Sequence, residues 1–427
     1  MENILILTYY YPPCTGVPAY RPFSWSKDFH KHGFNTTIIT RHWNGNEKKW
    51  DEYLEDNYSE SKIITNQNSK TIYLSYKKNK YLKLAEYKWV RKVGLSKLIY
   101  LFLTMSGNFH MDLDGYNCFK KCLYDELNKE KYKLIIVTSP PLNLIKLAFK
   151  ANKKFNIPFV VDFQDSWNNL MLADNYKPNA KERFYNYFKE LYLKKWLKKS
   201  LFITAVTPAF TKFIKRLTLK SVEIITNGFE KDVYLKNIKS SSTFFNISLM
   251  GTVHPIQDIS MMLGGLNLFL VDKNPELVKL NFIGLNSFPG ISKKIRMALP
   301  EKFIYTSDRV SMEESVELTL AAHVLLFPSY KGYKGYYTAK IFEYLGARRN
   351  ILMIPGNNDI VDDLIHSTLA GKITNSEKEF ADTLEDWYTE WKRTGNLLYH
   401  GIGDKINFFT RENQVHLLCE TIKKKLT

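Results

Sequence analysis

Short apolar runs rich in β-branched residues alternate along this chain with stretches whose apolar positions recur every three or four residues. The runs are closed by Ser, Pro, Gly or Asn, as expected of strands buried on both faces of a parallel sheet. In the first half they predict strands over Ile4–Thr8, Thr37–Thr40, Leu134–Ser139, Phe159–Phe163, Phe202–Val206 and Val222–Thr226. In the second half they predict Ile247–Met250, Leu280–Gly284, Phe303–Thr306, Val324–Phe327 and Ile351–Ile354. Helical spacing falls over Phe23–His32, Leu142–Phe155, Met312–Ala322 and Ala339–Ala347, with a last helix over Asn407–Lys425. Such alternation predicts an α/β protein of two doubly wound, Rossmann-like sheets.

The pattern weakens in two places. Glu230–Phe244 is polar and Ser-rich and precedes a new strand. The expected organisation is therefore a first domain over 1–230, a linker over 231–244, a second domain over 245–405, and a C-terminal helix over 406–427 that packs back on the first domain. Trp43–His110 does not follow the alternation, and 43–110 is expected to be an insertion of loops and helices.

At 427 residues the chain is too long for one ordinary core, and 44% hydrophobic with 24% charged residues marks it as globular. Its start lacks the cationic segment and cleavage site of a signal peptide, and Leu98–Met105 is too short to span a bilayer. Cys14, Cys118, Cys122 and Cys419 form no disulfide framework, and no paired Cys/His set accompanies Cys118 and Cys122, so no metal site is expected. A cytoplasmic protein follows as the expectation. The net charge of +18 favours anionic partners: nucleic acid, acidic headgroups or phosphorylated substrates. No helix-turn-helix, zinc pattern or aromatic RNA-binding sheet supports nucleic acid.

Four segments can carry chemistry. After the first strand, the loop Tyr9–Arg21 contains Gly16, which lets backbone approach a ligand, and Arg21, which either meets an anion or pairs with a nearby carboxylate. After Phe159–Phe163, Asp162 and Asp165 either position a sugar hydroxyl or serve as a structural acceptor and a helix cap, with Trp167 beside them. Gly251 and Thr252, followed by His254, offer donors to phosphate after the first strand of the second half. Finally, Gly332 and Gly335 precede Thr338, Ala339, Lys340 and Glu343 at a helix start. Unpaired N–H groups there suit a diphosphate and Glu343 suits a ribose diol, unless Lys340 and Glu343 simply pair with each other.

The ordered set resembles the retaining GT-B glycosyltransferases of family 4. The likeness rests on YYYPPCTGVPAYR, Ser139-Pro140-Pro141, the acidic set from Asp162 to Trp167, Ile225–Phe229, and LLFPSYKGYKGYYTAKIFEYLGARRNILMIPG. The resemblance implies two Rossmann-like domains facing a central cleft, with a UDP- or GDP-sugar donor, no metal and no other cofactor. It implies that Thr338, Ala339, Lys340, Gly251 and Thr252 hold the phosphates, that Glu343 grips the ribose, and that Arg309 reads the base. It places Gly16 near the donor and Arg21, Asp162, Asp165 and Trp167 on the acceptor side, with Asp165 and Lys340 as the catalytic pair. The acceptor class implied is a saccharide or lipid-linked glycan of a surface polysaccharide.

Three departures stand out. The family's paired acids stand eight apart, and eight before Glu343 is Gly335. The Arg and Lys common after the second domain's first strand are replaced by Thr252, His254, Gln257 and Asp258, and a frequent acceptor-side histidine is Gln164. A catalytically inert relative used as a binding or scaffolding subunit is therefore the alternative function. Two basic aromatic segments raise contact with the anionic inner face of the membrane: Lys77–Phe102, where contact with a membrane or a lipid-linked acceptor is expected, and Lys181–Ser200, whose aromatic stripe is expected to pack on its own domain.

Overall fold

The computed structural model describes residues 1–45, 60–76, 84, 87–109, 116–165, 176–235, 243–253, 257–285, 289–330 and 332–427. The chain folds into two compact units. Among the described residues, the first holds 1–165, 176–226 and 415–427, and the second 227–414.

In the first unit the strands are β1 (Glu2–Leu7), β2 (Phe34–Arg41), β3 (Lys62–Thr65), β4 (Ser69–Leu74), β5 (Leu134–Ser139), β6 (Phe159–Phe163), β7 (Ile203–Ala205) and β8 (Val222–Ile224). They form one sheet in the order β3-β4-β2-β1-β5-β6-β7-β8, parallel except for the β3–β4 pair. Central strands such as β5 and β6 are buried along their whole length, which is why they read as unbroken apolar runs. Ile4, Ile6, Trp25, Phe29, Ile136 and Val160 build the core on one side of this sheet. Val415, Leu418, Cys419 and Ile422 complete it from the last helix, Arg411–Leu426, whose first turn belongs to the second unit.

The second unit contributes β9 (Phe245–Met250), β10 (Val278–Ile283), β11 (Ile304–Thr306), β12 (Val324–Pro328), β13 (Asn350–Ile354) and β14 (Gly371–Ile373), all parallel in the order β11-β10-β9-β12-β13-β14. Two clusters cover its faces, one around Phe245, Phe282 and Trp387 and the other around Phe327, Phe342 and Ile365. Both units are doubly wound, as the alternation predicts.

The structure departs from the sequence reading at three places. The segment 43–110 supplies β3 and β4, not only loops and helices. β3 is the edge strand and β4 lies next to it: β3 is exposed throughout and β4 carries Ser69, Lys70 and Thr71, so neither has the apolar run of a central strand. The second place is the other sheet's edge, where the unforeseen strand β14 is three residues long and half-exposed. The unit boundary falls at Thr226/Asn227 rather than near 230, because Phe229 and Tyr234 pack on the helix Ala339–Ala347. Among the described residues no helix is long and apolar enough to cross a membrane.

Candidate functional site

In the second sheet the strand order reverses between β9 and β12, so the two chain crossovers leave in opposite directions. A crevice opens at the carboxyl ends of strands at such a point, the usual ligand position in an open α/β sheet. Gly251–Thr252 follow β9 there, and the segment from Ser329 to Thr338 follows β12 and leads into the helix Ala339–Ala347.

That helix is fixed from below. The Tyr344 hydroxyl accepts from Met250 N at 2.9 Å and donates to the Leu326 carbonyl at 3.3 Å, tying the helix to β9 and β12. On the far side Gly346 lies against Phe229, where a Cβ would fall 2.6 Å from the ring. With position and axis fixed, the helix start points its unpaired N–H groups into the crevice.

The residues at that start are short of partners. Thr338 is the N-cap, yet its hydroxyl makes no capping bond and is buried without a hydrogen-bond partner among the described residues. Lys340 extends over Gly251 and donates to the Thr252 carbonyl at 3.2 Å. Lys340 is half-exposed, and no carboxylate among the described residues pairs with its ammonium. Burial alone pushes its pKa down to about 8. Gly251 and Gly284 both hold positive φ, 73° and 77°, a conformation that favours glycine and keeps side chains off the floor beneath Lys340.

Glu343, one turn into the helix, does not pair with Lys340. Its carboxylate accepts from Tyr234 Oη at 2.6 Å and from Arg411 Nη2 at 2.7 Å. Burial and that carboxylate hold the Tyr234 phenol protonated, far above its usual range. Two bonds leave acceptor capacity on a carboxylate with about four lone-pair sites. Arg309 lies exposed after β11.

Asp359, which the sequence reading did not single out, joins this group. Gly335, eight before Glu343, donates its N–H to Asp359 Oδ2 at 2.7 Å. Asp359 follows β13 and starts the helix Ile360–Thr368, so it reaches the Gly335 turn from 24 residues away. No local motif signals that approach; only the β12–β13 pairing creates it.

The first unit uses its charges differently. Arg21 Nε and Nη2 grip the Asp162 carboxylate at 2.7–3.1 Å, and Arg21 Nη1 donates to the Thr226 carbonyl at 2.7 Å. Thr204 also donates to Asp162 at 2.5 Å, and the two charged side chains are 7% and 1% exposed. Of the two readings of Arg21 and Asp162, the structure displays the pairing: they satisfy each other inside the fold and anchor the loop that carries Gly16. Gly16 is half-exposed on that loop, and Asp165 is half-exposed just past β6. Gln164 beside it buries an amide nitrogen with no partner among the described residues. Trp167 and His254 lie outside the described residues.

No family model and no curated protein matches the chain. Solved structures do. Sucrose-phosphate synthase from Thermosynechococcus elongatus superposes with a TM-score of 0.61 at 11% identity, covering 99% of both chains. A glycosyltransferase from Rickettsia africae gives a TM-score of 0.61 at 13% identity over 100% of this chain and 99% of its own. HepE of Anabaena, in complex with UDP and glucose, gives 0.58 at 10% identity over 99% and 100%. The fold is GT-B. At these identities the likeness speaks for the architecture of both units and leaves the chemistry to the residues themselves.

Proposed function

We propose that this protein is a glycosyltransferase that takes a sugar from a nucleoside-diphosphate donor and passes it to a saccharide or lipid-linked glycan acceptor. One observation carries the reading: at the second sheet's switch point, a helix start presents a buried hydroxyl, Thr338, and an ammonium, Lys340, that have no side-chain partner among the described residues. An anionic ligand would satisfy both. Thr338, Ala339 and Lys340, with Gly251 and Thr252, would cradle the diphosphate; Glu343, preset by Tyr234 and Arg411, would take the ribose; Arg309 would face the base. Asp359 would stand in for the acid missing at Gly335 and orient the transferred sugar. Gly16, Asp165 and Trp167 are assigned to the reacting and acceptor groups.

Family 4 chemistry with retention and without a metal fits this set, since a charged leaving group is met by Lys340 and a helix dipole. The work is placed in the cytoplasm, on a growing surface glycan. UDP is the first nucleotide to try, as HepE is solved with UDP. A thermal-shift panel of UDP, GDP and ADP tests the site: stabilisation by one of them supports it, and none at millimolar ligand rejects it. Incubation with the matching nucleotide sugar and a candidate acceptor then separates a transferase, which releases the nucleoside diphosphate, from an inert relative that binds and releases none.

A further inference from the structure

Independently of the transfer reading, the first unit carries a surface that its own fold does not use. The short helix Lys88–Lys92 runs into the helix Leu95–Met105. The second helix is fastened at its C-terminal end. Tyr192 donates to the Met105 carbonyl at 2.7 Å, and Lys146 donates to the Gly107 carbonyl at 3.0 Å and to Asn108 Oδ1 at 2.7 Å. Ser96, Leu103 and Thr104 face inward, with Ile99 and Tyr100 half-buried around Leu103.

The opposite side of the same helix is also apolar. Leu95, Leu98, Phe102 and Met105 recur at i, i+3, i+7 and i+10, which sets them in one stripe, and all four are exposed. Trp89, on the preceding helix, and Val93, at its C-terminal end, add further exposed apolar side chains; Trp89 is 59% exposed and Phe102 71%. Scattered apolar residues on a surface need no explanation, but a contiguous stripe of large ones does. Lys88, Arg91, Lys92 and Lys97 lie exposed on the same two helices, and positions 87–109 contain no acidic residue.

We propose that this stripe docks the protein on an anionic lipid bilayer, its apolar side chains entering the headgroup boundary while the four cations meet lipid phosphates. The charge decides for lipid over a second copy of the chain. Two such stripes brought together would oppose cation to cation, whereas an anionic leaflet supplies both the apolar depth and the counter-charge. Trp89 has the amphipathic ring that favours that boundary.

The test is co-sedimentation of the full chain with vesicles of phosphatidylcholine alone, or of two parts phosphatidylcholine to one part phosphatidylglycerol. Binding to the anionic vesicles should weaken in high salt. The triple variant W89S/L98S/F102S should lose more than tenfold in partitioning, and K88Q/R91Q/K92Q/K97Q should lose about tenfold or more. All seven side chains are solvent-facing, so both variants should keep the wild-type melting temperature and UDP-induced shift. Failure of the wild type to sediment with anionic vesicles at low salt overturns the proposal, as does a triple variant that binds like wild type. Concentration-dependent dimerisation on size exclusion that the triple variant abolishes would also overturn it, in favour of self-association.

Discussion

Arg21 and Lys340 occupy the same position, second residue of a helix following a sheet strand, in the two units of this protein. Their surroundings are opposite. Arg21 is clamped by Asp162 and a carbonyl, with almost no exposure. Lys340 has one backbone carbonyl and a depressed pKa of about 8. A buried charge with a complete set of partners serves the fold; one without them is held there at a cost that a ligand can relieve. The contrast assigns structural work to the first helix start and ligand work to the second.

The largest effect should come from breaking the satisfied pair. Asp162→Ala leaves the Arg21 guanidinium buried and uncompensated, which should cost about 3–5 kcal/mol of stability. Arg21→Met/Asp162→Leu should recover most of it, because the lone charge is gone. Chemical denaturation followed by tryptophan fluorescence reads both. If Asp162→Ala were as stable as wild type, the pair would not be structural.

Lys340→Met should do the reverse. Removal of an ion that burial penalises should leave stability unchanged or slightly higher, while UDP affinity falls by roughly 10- to 100-fold, the value of a charge-assisted hydrogen bond. Calorimetric titration showing equal affinity would detach Lys340 from the phosphates.

This asymmetry was only half legible in the chain. Both units' central strands were readable, because burial on two faces leaves an unbroken apolar run such as Leu134–Val137 or Val324–Phe327. The edge strands β3 and β14, and β4 beside β3, were not, since a strand partly in water need not carry such a run, although the edge strands β8 and β11 were. The helix starting at Ala339 was visible with its boundaries, yet the partners that decide each charge lie far away in sequence. Asp162 is 141 residues from Arg21, and Arg411 is 68 from Glu343. Tertiary pairing of that range leaves no local pattern, so Arg21 and Lys340 looked alike until the fold separated them.

The proton on Lys340 sharpens the comparison further. Its folded pKa of about 8 lies below the unfolded value near 10.4, so across that window the unfolded chain binds more protons and stability rises with pH. Nucleotide binding should move the other way. A diphosphate favours the ammonium, so affinity is full below pH 8 and falls by up to about tenfold per pH unit above it. Lys340→Arg, charged throughout, should flatten that profile. A wild-type affinity constant from pH 7 to 9.5 would contradict the assignment. Asp359→Asn belongs at a similar size: turnover should drop about tenfold with UDP affinity kept, since Asp359 is assigned to the sugar and not to the nucleotide. A loss of UDP affinity instead would return Asp359 to a structural role under the Gly335 turn.

The smallest effect should be the most diagnostic of the helix start. Thr338→Val keeps shape and removes only the hydroxyl. An N-cap that bonded its own helix would lose about 1 kcal/mol of stability on such a change. The Thr338 hydroxyl makes no such bond and is buried without a partner, so its removal should leave the unliganded protein as stable as before or slightly more so. UDP affinity should fall only a few-fold, about 0.5–1.5 kcal/mol for one neutral donor. Ser at this position should restore it. A destabilised apo protein with unchanged UDP binding would make Thr338 an ordinary cap, and the second unit's helix start would then resemble the first.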